Sequence, residues 1–306
     1  MRATGTKIGP SLPAMLCILT VVLSAFAQNG REGKVPCEGF DLYYREYGSG
    51  APVVILSGGP GFDCDYMMPV ATAISKTNRA ILLELRGTGR SLPKTINPDT
   101  VNLKAYLSDL EALRTHLKLD RWTLLGHSAG GMLSMHYAAA YPEHVERLVL
   151  AGTGPIATQF ADAQGDNAMM RMLPEEREEL RNPNLTRAEA IRIALPGSFF
   201  NRAKALQMAK EFDPESFHEE VSDILLRELM RPKGDLRPDL RDFNRPVLIV
   251  AGRQDPLDAV AQYETHLALG NSRLKFIPRC GHFLWIEQPD EFFRIVHEFL
   301  NESASR

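Results

Sequence analysis

Trp122-Thr123-Leu124-Leu125-Gly126-His127-Ser128-Ala129-Gly130-Gly131-Met132-Leu133 is the stretch that decides the fold of this chain. Residues 122–125 are apolar or β-branched, a run too short for a helix and suited to a buried strand. From Ala129 to Tyr141 there is no proline, and only Gly130 and Gly131 are poor helix formers. Between the two lies Gly126-His127-Ser128-Ala129-Gly130, a Gly-x-Ser-x-Gly pattern. The order is therefore strand, very tight turn, helix. A serine at such an elbow is held in a strained backbone with its Oγ pushed out over the sheet edge. The glycines are required because a Cβ at either place would clash in so sharp a turn. Five residues alone could be a glycine-rich turn with a surface serine; the flanking strand and helix supply the specificity.

Working outward, buried strands recur. Residues 40–47 are aromatic-rich, alternate loosely and are ended by Gly48-Ser49-Gly50, which predicts an antiparallel edge strand. Residues 52–56 are a continuous apolar run, the signature of a parallel strand covered on both faces, and 80–85 and 145–151 are read as further buried strands. Helices are predicted at residues 66–75 and, from Leu103, Tyr106, Leu107, Leu110, Leu113 and Leu117, before the elbow strand. The alternation stops after Gly154. Residues 155–244 are helical, charged and rich in methionine. It resumes with a strand at 246–251, a helix at 259–269, a strand at 274–277 and a closing helix at 290–300. The fold class is α/β, a mostly parallel sheet with helices on both faces and a helical cap inserted at 155–244. The core is split into residues 28–154 and 245–306. Ligands of open α/β sheets bind beyond the carboxyl ends of the strands, and the insertion leaves from such an end, so it is expected to cover the site.

Residues 1–27 are set apart from this fold. Arg2 and Lys7 precede an almost wholly apolar run at 14–26, and Ala25-Phe26-Ala27 is a small-x-small cleavage site before Gln28. This predicts a secretory signal peptide and a secreted or periplasmic mature chain. The alternative is an N-terminal membrane anchor, although the run is shorter than the ~20 residues of a spanning helix. Cys37, Cys64 and Cys280 remain after cleavage; one disulfide is possible, its pairing undefined, and the odd number leaves a free thiol. A net charge of -3 without a basic cluster argues against a nucleic-acid partner. The chemistry needs neither metal nor cofactor. The expected partner is a small molecule or short peptide as substrate, with no stable membrane insertion once the signal is removed.

A serine hydroxyl needs a base in hydrogen-bond reach, and the base needs an orienting acid. Asp255 follows the strand ending near Ala251, and His282 follows the next strand after a short loop, so both reach the sheet edge that carries Ser128. Asp258 is a competing carboxylate. The order Ser, Asp, His is that of triads in this kind of sheet. A tetrahedral intermediate also needs two donors for its oxyanion. The N–H of Ala129 is one. The second is expected from Ser57-Gly58-Gly59-Pro60-Gly61; Pro60 has no N–H, so Gly59 is preferred, with Gly58 as backup. His127, beside the nucleophile, is expected to line the pocket, whereas His116, His218, His266 and His297 fall on predicted helices and are read as solvated. Met169, Met170, Met172, Phe199 and Phe200 could line an apolar pocket or belong to the core.

With these residues in view, the chain resembles the α/β-hydrolase superfamily and, more narrowly, the proline iminopeptidase family of serine peptidases. The likeness rests on Gly58-Gly59-Pro60-Gly61 after a buried strand and on Arg86-Gly87-Thr88-Gly89-Arg90-Ser91. It rests also on Asp109-Leu110-Glu111-Ala112-Leu113-Arg114 and on the elbow. The resemblance implies a helical cap whose acidic residues bind the free amino terminus of a short peptide. Glu175 and Glu215 are the cap candidates for that role. Three positions depart from the family pattern: Ser57 stands where His is usual, Glu84 where Asp is usual, and the elbow reads Gly-His-Ser-Ala-Gly rather than Gly-Gly-Ser-Trp-Gly. The reading is an exported serine hydrolase with Ser128, His282 and Asp255 as its triad, first an aminopeptidase. The alternatives are a carboxylesterase for small esters and a non-catalytic binding or sensor protein of the same fold.

Overall fold

A computed structural model describes residues 30–160, 164–231 and 234–302; the predicted signal peptide lies outside the described residues. Among the described residues eight strands form one sheet in the order β1-β2-β4-β3-β5-β6-β7-β8. They are β1 (Arg31–Cys37), β2 (Phe40–Tyr47), β3 (Pro52–Leu56), β4 (Arg79–Leu83), β5 (Trp122–His127), β6 (Val145–Ala151), β7 (Val247–Gly252) and β8 (Ser272–Ile277). The β1–β2 and β2–β4 pairs are antiparallel and every other pair is parallel. The expectation that residues 40–47 form an edge strand is therefore corrected: β2 is interior, with β1 outside it. Strand β1 escapes a sequence reading because Arg31, Glu32 and Lys34 give it no apolar run and Pro36 argues against it. An outermost strand needs only one satisfied edge and tolerates both features.

The apolar runs are continuous because each strand feeds two cores. Val54 and Leu56 of β3, Leu124 of β5, Leu148 and Leu150 of β6 and Ile249 of β7 point into one. Val53, Ile55, Leu125, Val149, Leu248 and Val250 point into the other. This is the two-residue period of a strand read on both faces. On the first face lie α2 (Leu103–His116) and α3 (Ala129–Ala140), through Leu110, Leu113, Leu133 and Tyr137. On the second lies α1 (Met68–Ile74), through Val70, Ala71 and Ile74. The predicted helix at 66–75 begins as a single 3-10 turn, Cys64–Met67, before α1.

Between β6 and β7 the described residues form five short α-helices, α4 (Gln164–Arg171), α5 (Pro174–Glu179), α6 (Arg187–Ala194), α7 (Arg202–Glu211) and α8 (Glu219–Leu229). After β7 come α9 (Ala259–Ala268), then, past β8, α10 (Leu284–Glu287) and α11 (Pro289–Asn301). Phe292, Ile295, Val296 and Phe299 of α11 complete the second core. Among the described residues no helix is long and apolar enough to cross a membrane. Cys37, Cys64 and Cys280 are all free thiols, so the possible disulfide is absent; burial pushes the Cys64 thiol up to about 12.

The Arg86-to-Ser91 loop is anchored rather than left in solvent. The Arg86 guanidinium donates to both Asp109 carboxylate oxygens, at 2.7 and 2.5 Å, and Tyr106 Oη donates to the Arg86 carbonyl at 2.6 Å. Glu84 accepts from the Arg90 backbone N–H (2.7 Å) and from its guanidinium (2.7 Å). A planar fork facing a carboxylate gives direction as well as strength, which suits a loop that must hold its shape beside the sheet edge.

Candidate active site

Ser128 caps α3 with φ 55 and ψ -119, a conformation that costs a non-glycine residue on the order of 1–3 kcal/mol. The turn is imposed by its surroundings. A Cβ on Gly126 would stand 2.3 Å from the Gly130 carbonyl oxygen, and one on Gly130 would stand 2.4 Å from that of Leu56. Both distances are below any real contact, so only glycine fits. Ser128 N–H donates to the Ala151 carbonyl at 3.1 Å, and its own carbonyl accepts from Gly154 N–H at 3.2 Å. The elbow is thus bonded across to the end of β6.

His282 stands in the loop after β8 and Asp255 in the loop after β7. His282 Nδ1 lies 3.1 and 3.0 Å from the two Asp255 carboxylate oxygens, with the side chains 13% and 2% exposed. Asp255 Oδ1 also accepts from Leu257 N–H at 3.0 Å. Asp258, the competitor, has φ 68 and caps α9 by accepting from Val260 N–H, so it serves the helix. Gly152, at φ 48 after β6, lies under the pair: a Cβ there would be 3.0 Å from Asp255 Oδ2 and 3.3 Å from His282 Nδ1. Sequence reading missed this glycine, because its need arises only where β6, β7 and β8 converge.

A cavity of about 820 Å³ opens over these residues, lined by Gly59, His127, Ser128 and His282 from the sheet edge. Ser128 Oγ and His282 Nε2 have no hydrogen-bond partner among the described residues, and both residues line this space. Gly58 N–H donates to Tyr66 Oη at 2.5 Å, so the backup donor is already used. Gly59 N–H and Ala129 N–H have no acceptor among the described residues. His127 lies against the cavity, only 2% exposed; its Nδ1 is 2.9 Å from Tyr66 Oη and its Nε2 3.1 Å from the His282 carbonyl. Burial, with the neighbouring His282 ring, presses His127 well below the ordinary histidine range, which favours the neutral ring.

The cap closes the cavity with Ile191, Ala194, Leu195, Met208 and Phe212. Two latches join it to the sheet edge. On one side His282 N–H donates to the Ser198 carbonyl at 2.8 Å. There the buried Glu287 carboxylate also accepts from the N–H groups of Gly281 (2.5 Å), Asn201 (2.7 Å) and Phe200 (3.3 Å). On the other side Phe62 bridges to Phe217, and Asp63 pairs with His218 at 2.9 Å. The reading of His218 as solvated is thereby corrected. Met172 and Phe199 are core, whereas Met169, Met170 and Phe200 are exposed; none of the five lines the cavity.

Glu175 and Glu215 are corrected as well. Both are exposed and neither lines the cavity. The carboxylates that do are Asp63 and Asp65, from the loop after Gly61, and Glu211 and Asp213, from the end of α7. Asp65 is paired with Arg45, and Glu211 accepts from Gln207. Glu211 and Asp213 have no ion pair among the described residues. Their signal in the sequence was weak, since Glu211-Phe212-Asp213 looks like any polar helix end.

A sheet edge carrying a strained serine beside a histidine–carboxylate pair defines a class, and the comparisons agree: residues 51–289 match the model of the α/β-hydrolase fold family, and the chain belongs to it. A proline iminopeptidase of Lactobacillus helveticus is 27% identical over 298 residues, covering 89% of this chain and 98% of that protein. A 2-hydroxy-6-oxo-2,4-heptadienoate hydrolase of Pseudomonas putida is 29% identical over 273 residues, covering 86% and 93%. The crystal structure of a proline iminopeptidase from Mycobacterium smegmatis superposes with a TM-score of 0.69 at 20% identity, covering 88% of this chain and 97% of that one. The chain is an enzyme, a serine hydrolase of the α/β fold that resembles the proline iminopeptidases.

Proposed function

We propose that this enzyme is an exported aminopeptidase that releases an N-terminal residue, proline among the candidates, from short peptides or amides through an acyl-enzyme. The observation that carries the reading is the His282–Asp255 pair, 3.0 Å apart, at the same cavity as the strained Ser128. Ser128 Oγ attacks the acyl carbon as His282 Nε2 takes its proton. Asp255, accepting from Nδ1–H, fixes the tautomer and stabilises the imidazolium. The free N–H groups of Gly59 and Ala129 hold the oxyanion. His282 then protonates the leaving amine and activates the water that frees the acid.

Substrate preference follows from the cavity wall. Apolar side chains from the cap suit a compact ring or aliphatic residue, and the rim carries four carboxylates with no balancing cation on Glu211 or Asp213. A free amino terminus supplies that cation. The carboxylesterase reading has its own support in the Gly-His-Ser-Ala-Gly elbow and in Ser57 at the position where the peptidase pattern has His. Export rests on Arg2, Lys7, the apolar run at 14–26 and Ala25-Phe26-Ala27. A secreted or periplasmic product whose first residue is Gln28 is the expected outcome of intact-mass analysis.

Hydrolysis of prolyl-p-nitroanilide beside p-nitrophenyl butyrate tests the reading, with the chain from Gln28 and its Ser128→Ala variant. Ser128-dependent release from the prolyl amide is expected. Release from the ester alone replaces the aminopeptidase by an esterase. Lack of both activities and of fluorophosphonate labelling favours a non-catalytic binding role.

A further inference from the structure

Three regions distant in sequence meet at one hydrogen-bond chain: the turn after β3 with Tyr66 in the 3-10 turn just beyond it, the elbow, and the loop after β8. Gly58 N–H donates to Tyr66 Oη (2.5 Å), Tyr66 Oη contacts His127 Nδ1 (2.9 Å), and His127 Nε2 contacts the His282 carbonyl (3.1 Å). The two ends cannot change role. A peptide N–H only donates, and a carbonyl only accepts. His127 Nε2 must therefore carry the proton. A neutral imidazole has a single N–H, so Nδ1 is bare and the Tyr66 hydroxyl must point its proton there. Every donor and acceptor along the chain is then used once, in one direction.

We propose that Tyr66 and His127 are positioning residues: their directed chain ties the oxyanion-holding turn to the backbone of the histidine that acts on Ser128. This rests on the serine-hydrolase mechanism proposed above. The chain uses Gly58 N–H and holds its peptide in place, leaving the next N–H, that of Gly59, for the cavity. The turn has little room to relax, because a Cβ on Gly58 would already be 2.7 Å from Ser128 Cβ. The His127 ring is also packed 4.5 Å from the His282 ring and edge-on to Trp285 at 4.8 Å. With its bare Nδ1 taken by the Tyr66 hydroxyl and its Nε2–H by a carbonyl, His127 has no nitrogen left to act as a base for Ser128, although it adjoins it in sequence. A protonated His127 would point a second N–H at Tyr66 and leave the tyrosine proton without an acceptor.

Tyr66→Phe removes one oxygen and keeps the ring contacts, so it is the first variant. The expected result is a fall in kcat of about tenfold to a hundredfold, below the cost of deleting an oxyanion donor outright, with KM within about twofold. Affinity for a boronic acid that mimics the tetrahedral intermediate should fall in parallel. His127→Gln, which keeps one acceptor and one donor, should retain more kcat than His127→Phe. Unchanged kcat in Tyr66→Phe, a loss confined to KM, or a kcat loss without weaker boronate binding overturns the proposal. Equal activities of the two His127 variants do so as well, and if His127→Phe does not fold, Tyr66→Phe decides alone. Ser128→Ala, run beside them, separates the two levels. Turnover surviving in Ser128→Ala defeats the nucleophile assignment, whereas an inactive Ser128→Ala beside a fully active Tyr66→Phe defeats only the positioning role.

Discussion

The two walls of the cavity are built on different principles. The sheet-edge wall is set by backbone geometry: a serine at φ 55, glycines at 126 and 130 where a Cβ would collide and at 152 where it would crowd the pair, and peptide N–H groups at Gly59 and Ala129. The cap wall is set by side chains on short helices, and its outer surface leaves Met170 80% and Leu206 50% exposed. The first wall sits on strands buried on both faces and can hold atoms to a few tenths of an ångström. The second is joined to it by hydrogen bonds at two latches and by apolar contacts, Val221, Leu225 and Leu229 entering one core and Leu195, Phe199 and Ala205 the other. Chemistry belongs to the wall that cannot shift, and substrate choice to the wall whose side chains can be exchanged without disturbing the sheet.

Substitutions on each wall can break this contrast. The largest effect is expected from Asp255→Asn, which leaves the shape intact but offers His282 the wrong tautomer. A loss of about 10³–10⁴ in kcat with native circular dichroism is expected, and a variant within tenfold of wild type would remove Asp255 from its role. Next is Gly152→Ala. Its methyl would press on Asp255 and His282 from 3.0 and 3.3 Å at a positive φ, so kcat should drop roughly tenfold, with about 1 kcal/mol of stability lost to the left-handed backbone. Unchanged kinetics there would mean that the pair tolerates displacement and that the sheet-edge wall is less rigid than its packing suggests.

On the cap wall, Glu211→Gln combined with Asp213→Asn should raise KM for prolyl-p-nitroanilide about tenfold and leave kcat within about twofold. Hydrolysis of an uncharged ester should not change, since exposed carboxylates act on a substrate only through modest, screened attraction to its charge. If kcat falls for both substrates, the division of labour between the walls is wrong. The effect with the smallest consequence for turnover concerns stability. Burial, with Arg231 nearby, holds His136 of α3 down at about 4 against the opposing Asp239 and Glu228. Its folded value lies below its unfolded one, so the unfolded chain binds the extra proton between pH 6.5 and 4. The contribution is complete above that window and is lost as pH falls through it, by about 2–3 kcal/mol. Denaturant titrations from pH 7 to 4 should show this slope, and His136→Leu should flatten it while activity at pH 7 stays put.

The sequence by itself determined the sheet, the elbow and the order of the three site residues. Apolar runs at 52–56, 122–125, 148–151 and 246–251 have one low-energy fate, burial between two helical layers, and Gly126 and Gly130 have one turn that needs them. Ser128, Asp255 and His282 were legible because Ser128 directly follows a strand and Asp255 and His282 stand in the short loops after β7 and β8, and strand ends in a parallel sheet share an edge. Only the tertiary structure decided what depends on contacts between distant segments. It placed β1 outside β2, gave Gly152 its role beneath the Asp255–His282 pair, and joined Gly58, Tyr66, His127 and the His282 carbonyl in one chain. It also moved the cavity carboxylates from Glu175 and Glu215 to Asp63, Asp65, Glu211 and Asp213. The physical reason is range. Periodicity and turn chemistry act over a few residues and leave a local trace, whereas a hydrogen bond spanning 155 positions leaves none until the chain has folded.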